Sequence, residues 1–315
     1  MNKVVGTLDA LNTVSPPALP RVGVSVVMVV YMTGPALQES IDHVLNEPLV
    51  DEFVIVDNGS PADVEARLRA LGAGNPRVHL LQGQGNVGFA RGANMGAAYA
   101  RGRDLVFINP DAFLGAGCIG SLIESARDRA SPCVVGACVL NPDGTEQRGG
   151  RRGEVTPVTT LLSLSHLALT IPGMRRFEIH REDEPRPAQT TAVSTISGAC
   201  FHISRNDFHK IAGFDEGYFL HVEDVDFCWR VRQHGGVVLF DPNATVVHLG
   251  STSQSHPLIV EFHKGRGLVR YFIKRADNPW RLMLAMGLSP LIMLAAVIRP
   301  AVRLYTRSPK RIAAR

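Results

Sequence analysis

The 315-residue chain has no CxxC pair, and its five cysteines (Cys118, Cys133, Cys138, Cys200 and Cys228) are odd in number, scattered and each set in an apolar stretch. That pattern argues against a zinc knuckle or a disulfide framework and makes a reducing cytoplasm the default compartment. Aromatic residues are only 6% of the chain, yet Gly (30) and Pro (20) are ordinary in number, which excludes a collagen-like or a disordered protein. There is no internal repeat, no low-complexity tract, and no long apolar run of a signal peptide at the start. Residues 1–20, ending in Pro16, Pro17 and Pro20, read as a flexible leader. What is there is 45% hydrophobic, enough for one large α/β domain or two small ones with a real core.

Net charge is also nearly lacking, at +4, but it is unevenly spread. From Lys264 to the end there are twelve Lys+Arg against one acid, Asp277, a local charge of +11 that leaves −7 for residues 1–263. An acidic body with a basic tail separates a site built on carboxylates from a surface that meets an anionic partner.

Residues 22–31 (VGVSVVMVVY) form a β-branched run of strand length, and 35–47 read as a helix opened by proline in its first turn. Strands are expected at 53–56, 78–81, 105–108 and 134–140, with helices at 61–71 and 87–100. Alternation of this kind predicts a parallel sheet with right-handed crossovers, covered on both faces. Polar clusters stand where strands end: Asp57-Asn58-Gly59-Ser60, Asn109-Pro110-Asp111, and Asn86 shortly after the third strand. Such residues make turns for purely structural reasons. Three clusters together favour a site, because open α/β sheets bind ligands beyond the carboxyl ends of their strands.

Residues 145–192 break the pattern with an Arg-rich stretch (Arg148, Arg151, Arg152), an apolar segment and a charged run, and read as a variable acceptor-side insertion. A strand is expected at 193–203, then a short helix to Ile211. Residues 222–234 form a good helix, with Glu223, Asp224 and Asp226 in the first turn, Arg230 and Arg232 in the last, and Gly235 as C-cap. Those charges also simply complement the helix dipole. Residues 257–276 are basic and amphipathic, and 282–298 form a 17-residue uncharged run broken by Pro290. That run is marginal for spanning a bilayer and better suited to lying in or dipping into one leaflet, the alternative being a buried C-terminal helix.

Four pieces occur in order: Asp57 in VIVDNGS, residues 86–94 (NVGFARGAN), Asp111 in FINPDA, and Glu223-Asp224 in FLHVEDVDFCWR. Together they resemble the inverting glycosyltransferases of family 2, and in particular the rhamnosyltransferase-like members that build bacterial polysaccharides and lipid-linked glycans. The resemblance spans about residues 22–255, with a catalytic domain over 21–256 and membrane-associating helices over 257–315.

The resemblance implies a GT-A nucleotide-sugar-binding fold: an α/β domain with a mostly parallel central sheet flanked by helices, extended by basic and apolar C-terminal helices. It implies that Asp57 hydrogen-bonds the base or ribose of a nucleotide-diphosphate sugar, and that Asn86, Arg91 and Asn94 hold base, ribose or phosphate. Asn109 stands where the family's DxD motif has its first acid, and Asp111 is left to bind a divalent cation, Mg²⁺ or Mn²⁺, on the diphosphate. His248 resembles a position that completes this metal or phosphate site, its alternative being a structural histidine. Asp224 matches the catalytic base and Glu223 contacts the acceptor, while Asp226 pairs with Arg230. Gly198-Ala199-Cys200 looks like the small-residue strand under the acceptor. Trp229 and Phe219 are open between sugar stacking and core packing.

The implied reaction moves L-rhamnose from dTDP-rhamnose to a lipid-linked or polysaccharide acceptor in bacterial cell-envelope glycan synthesis. Its implied place is the cytoplasmic face of the plasma membrane, held by an anionic lipid surface and not by nucleic acid. A sugar nucleotidyltransferase would need a Gly-rich loop with Arg or Lys after the first strand, and MTGPALQES has neither basic residue. A non-catalytic membrane-associated binding protein on the same fold is the other alternative.

Overall fold

The computed structural model describes residues 23–165, 167–171, 173–250 and 256–307. The expected leader at 1–20 lies outside them. The chain opens with β1 (Val24–Val30), α1 (Ala36–Asn46), β2 (Val50–Asp57), α2 (Ala62–Gly74), β3 (Val78–Leu81), α3 (Phe89–Tyr99) and β4 (Asp104–Ile108). Then come β5 (Ala112–Leu114), α4 (Cys118–Ala126), β6 (Cys133–Leu140), β7 (Arg151–Arg152), α5 (Pro157–Leu164), α6 (Leu167–Thr170), β8 (Thr191–Ala192) and β9 (Thr195–Ile196). The last are β10 (Cys200–Ser204), α7 (Arg205–Lys210), α8 (Glu223–Gln233), β11 (Val237–His248), α9 (Pro257–Arg275) and α10 (Pro279–Arg307).

Among the described residues nine strands form one sheet in the order β3-β2-β1-β4-β10-β6-β11-β5, with β8 on β11. The β3-β2-β1-β4 half is parallel, as the alternation predicts. Strand β10 runs antiparallel to both neighbours, so the sheet is mixed. The strand expected at 193–203 is in fact two, β9 and β10, separated at Gly198. Period-2 patterning marks which side chains face the core and carries no strand direction, which is why the reversal is invisible in sequence.

Both faces of β1 are buried, and its residues alternate between them. Val24, Val26, Met28 and Val30 point to the layer of α1, α2 and α4, while Val27 and Val29 point to that of α3, α7 and α8. Fully burying one such aliphatic side chain contributes about 1.5–3 kcal/mol. Helix α3 comes close because its inner face is Ala and Gly: a Cβ on Gly96 would lie 2.5 Å from Val27 Cγ1. A third apolar cluster joins Tyr218, Val222 and Val225 to Leu268, Tyr271 and Phe272 of α9 and Ala285 and Ile292 of α10. Trp229 packs edge-on to Tyr271 at 6.2 Å and belongs with this cluster. All five cysteines are free and buried.

Residues 282–298 of helix α10 are an uncharged, largely apolar run, so one face docks and the other is left over. Ala285, Ile292 and Ala296 are buried, whereas Trp280 (79%), Met283 (62%), Leu291 (52%) and Leu294 (56%) are exposed. Its segment Pro279–Ile298, with mean hydropathy 2.0, is long and apolar enough to cross a membrane by length and composition.

Candidate active site

The carboxyl ends of β1, β2 and β4 bring the first group together. Asp57, last residue of β2 and 3% exposed, accepts at Oδ1 from the backbone N–H groups of Gly59 (3.2 Å) and Ser60 (2.9 Å). This ties the turn to the carboxylate, and Oδ2 makes no hydrogen bond among the described residues. Asn58 N–H donates to Val30 O at 2.8 Å and its Nδ2 to Gly88 O at 3.0 Å, joining the β2 end to the loop before α3. Asn86 in that loop is exposed, and its Oδ1 accepts from Gly88 N–H at 3.1 Å. Arg91 and Asn94 face elsewhere: Asn94 donates to Phe214 O and Glu216 and accepts from Phe214 N–H, and Arg91 lies 3.8 Å from Glu216.

The second group is made by pairing β5 with β11, which sets His248 opposite Ala112 and so beside Asp111. Asp111 Oδ1 lies 3.1 Å and Asn109 Nδ2 3.2 Å from His248 Nε2. Gln147 decides the tautomer. Its Nε2 donates to His248 O (2.8 Å) and Asn141 Oδ1 (3.2 Å), leaving Oε1 to accept from His248 Nδ1–H at 2.7 Å. The Nε2 edge of the ring is then turned to the Asp111 carboxylate and to the Asn109 amide, whose Nδ2 is placed to donate to it. A carboxylate and an imidazole side by side are donors that would suit a divalent cation. Among the described residues no larger group of three or more His, Cys, Asp or Glu is assembled.

The third group sits where α8 begins. His221 (φ 65°) and Val222 (φ 72°) are both left-handed, a costly conformation for a β-branched residue, and together they turn the chain into the helix. Helix α9 holds them there: a Cβ on Gly267 would be 3.1 Å from His221 O. Lys274 bonds Asp215 and Asp226 at 2.7 Å each, and Arg270 bonds Asp215 at 2.9 Å. Burial raises the Asp215 carboxyl, but Lys274, the Gly217 N–H and Arg270 outweigh it and hold it down at about 2. Asp226, fully buried, pairs with Arg230 at 2.7 Å. Phe219 is 37% exposed and stacks on His263 of α9 at 4.7 Å.

Asp224 forms an ion pair with Arg152 of β7. The two-residue ladder between β7 and β9 delivers that arginine, whose Nη2 also donates to Ile196 O at 2.8 Å. Glu223 is 8% exposed, and its Oε2 has no hydrogen-bond partner among the described residues. Burial first and then the adjacent Asp224 charge push its carboxyl up to about 8, against a lowering by Arg152. Gly198 flanks this corner, where a Cβ would be 3.5 Å from Asp224 Cβ.

Sequence reasoning passed over Gln147 and Arg152. The stretch EQRGGRR showed only as polar and Arg-rich, whereas in the fold it runs from His248 to Asp224, with Arg151 buried on Glu146 at 2.7 Å.

Residues 25–211 match the family model described as Glycosyl transferase family 2. The chain is 26% identical over 302 residues, 88% of its length and 94% of the relative's, to the N-acetylglucosaminyl-diphospho-decaprenol L-rhamnosyltransferase of Mycobacterium tuberculosis. Among solved structures it superposes on GalNAc-T7 with UDP, GalNAc and Mn²⁺ with a TM-score of 0.60 and 16% identity, covering 84% of this chain and half of that one. The mannosyltransferase PcManGT from Pyrobaculum calidifontis, in complex with GDP-Man and Mn²⁺, gives 0.57 and 16%, covering 90% of this chain and 76% of that one.

Proposed function

The chain belongs to glycosyl transferase family 2, and from that premise we propose that it is an inverting transferase moving L-rhamnose from dTDP-rhamnose to a lipid-linked acceptor. The observation that carries the reading is the convergence at one end of the sheet of Asp57, the Asp111–His248 pair and the Asp224–Arg152 pair. Asp57 and Asn86 receive the nucleotide, with Asn109 beside the diphosphate. Arg91 and Asn94 brace the Phe214–Glu216 turn instead. The Asp224 carboxylate takes the proton of the acceptor hydroxyl as its oxygen bonds to the anomeric carbon. The bond from that carbon to the diphosphate oxygen breaks on the opposite side, and its electron pair leaves with the nucleotide. A single displacement of this kind inverts the anomeric centre. Asp111 and His248 would hold a Mg²⁺ or Mn²⁺ ion, which when bound neutralises charge on the departing diphosphate. The likeness to a rhamnosyltransferase over nearly the full length supports the donor.

The test is a hydrolysis and transfer screen across dTDP, UDP and GDP sugars. Release of dTDP from dTDP-rhamnose alone is expected, accelerated by an N-acetylglucosaminyl-diphospho-polyprenol. Turnover confined to UDP or GDP sugars would overturn the donor assignment.

The left-over face of α10 supports association with an anionic membrane surface on the cytoplasmic side, where such an acceptor would present its diphosphate. The helix lies against α9, with a Cβ on Gly265 reaching 3.0 Å from Met293 Sδ and Ala296 Cβ, which suits it to lie along the leaflet. Deleting α10 would also uncover the third core cluster, so substitution is the cleaner experiment. Replacing Met283, Leu291 and Leu294 by Ser removes about 1.5 kcal/mol or more apiece of lipid contact. Vesicles containing phosphatidylglycerol should then bind about 10³-fold more weakly or worse, and undiminished binding would restore a buried or protein-covered helix.

A further inference from the structure

Glu223 and Asp224 are adjacent carboxyls in unlike surroundings. Asp224 has Arg152 as a counter-ion; Glu223 is buried, faces that same anion across one peptide, and offers an oxygen with no partner among the described residues. An ionised carboxylate with an unpaired buried oxygen is costly, whereas a neutral carboxyl is not, and it has an O–H to give. We propose that Glu223 works as a protonated carboxylic acid, donating a hydrogen bond to the acceptor sugar while Asp224 alone removes the acceptor's proton. This rests on the transferase reading above and adds to it a division of labour between two neighbouring acids.

The surroundings support this from every side. On α8 the neighbour is the Asp224 anion, which disfavours a second negative charge. From β7 comes Arg152, already engaged by Asp224 and by Ile196 O. Across the loop stands His221, which faces Lys264 and His263 of α9. A carboxyl pushed up to about 8 keeps its proton through neutral pH. A neutral donor at this place also explains why a second carboxyl can sit one residue from the base with no cation of its own among the described residues.

The decisive comparison is Glu223→Gln against Glu223→Ala, assayed with dTDP-rhamnose and an N-acetylglucosaminyl-diphospho-polyprenol from pH 5.5 to 9.5. Glutamine keeps a neutral N–H donor with no proton to lose. Glu223→Gln should keep kcat within about threefold at neutral pH, and its rate should hold above pH 8 where the wild type falls about tenfold per unit. Glu223→Ala should raise acceptor KM by about tenfold, the worth of one hydrogen bond. If the glutamine variant loses as much as the alanine variant, or keeps the wild-type alkaline limb, the proposal is wrong. Infrared difference spectra of the wild-type protein give a readout that needs neither turnover nor a folded variant. A protonated-carboxyl band lost near pH 8 is expected, and its absence at pH 7 overturns the proposal. Wild type inactive on these probes but carrying the band would count against the donor and acceptor reading only.

Discussion

Asp224→Asn should slow sugar transfer by about 10²–10⁴-fold, the usual worth of a positioned general base. The amide keeps the size and planarity of the carboxylate but cannot take a proton from the acceptor hydroxyl. Donor affinity, measured by calorimetry with dTDP-rhamnose, should stay within about twofold, because loss of a group used only in the transition state appears in kcat and in kcat/KM alike. The substitution also releases Arg152, whose Nε is already buried without a partner among the described residues. Melting temperature is therefore measured beside activity, to separate a misplaced arginine from a missing base. Comparable rates in the two proteins would remove Asp224 from the reaction.

Asp111→Asn and His248→Ala should each weaken Mn²⁺ binding in the presence of dTDP by more than tenfold and lower kcat by about 10²-fold. Gln147→Ala tests the same centre from behind. It leaves both ligating side chains in place but removes the acceptor that holds the imidazole N–H, together with the amide's bonds to His248 O and Asn141, so a loss of about 10–100-fold in metal affinity is expected. Electron paramagnetic resonance of free Mn²⁺ reads affinity directly, without turnover. Unchanged Mn²⁺ affinity in all three variants would leave the His248–Asp111 contact of 3.1 Å a purely structural one.

How far these residues were legible in sequence follows from how local their placement is. Asp57 and Asp111 stand at strand ends, and Asp224 in the first turn of a helix, positions that periodicity and turn chemistry locate within a few residues. The His248 contact depends on the register of β5 against β11, and its partner is 137 residues away. Arg152 reaches Asp224 through a ladder of two residues, too short to carry any pattern. The direction of β10 was equally out of reach. Hydropathy alone marked α10 as apolar but not which side is docked, since residues 282–298 carry no charge on any side; that was decided by Gly265 opposite Met293 and Ala296.

The strand-and-turn segment from Glu146 to Arg152 has one more consequence. It is bonded to His248 at Gln147 and to Asp224 at Arg152, with Ser197 N–H on Gly150 O at 2.9 Å between them. Its length is therefore a caliper on the gap between His248 and Asp224, the two ends of the proposed site. Adding or removing one residue here would shift one jaw by about 3.3 Å, roughly a hydrogen-bond length. The chain that follows it is anchored elsewhere as well: Glu154 pairs with Arg232 of α8 and Arg275 of α9, and Thr190 bonds Ser125 of α4. Among descendants of this chain, the caliper keeps its count.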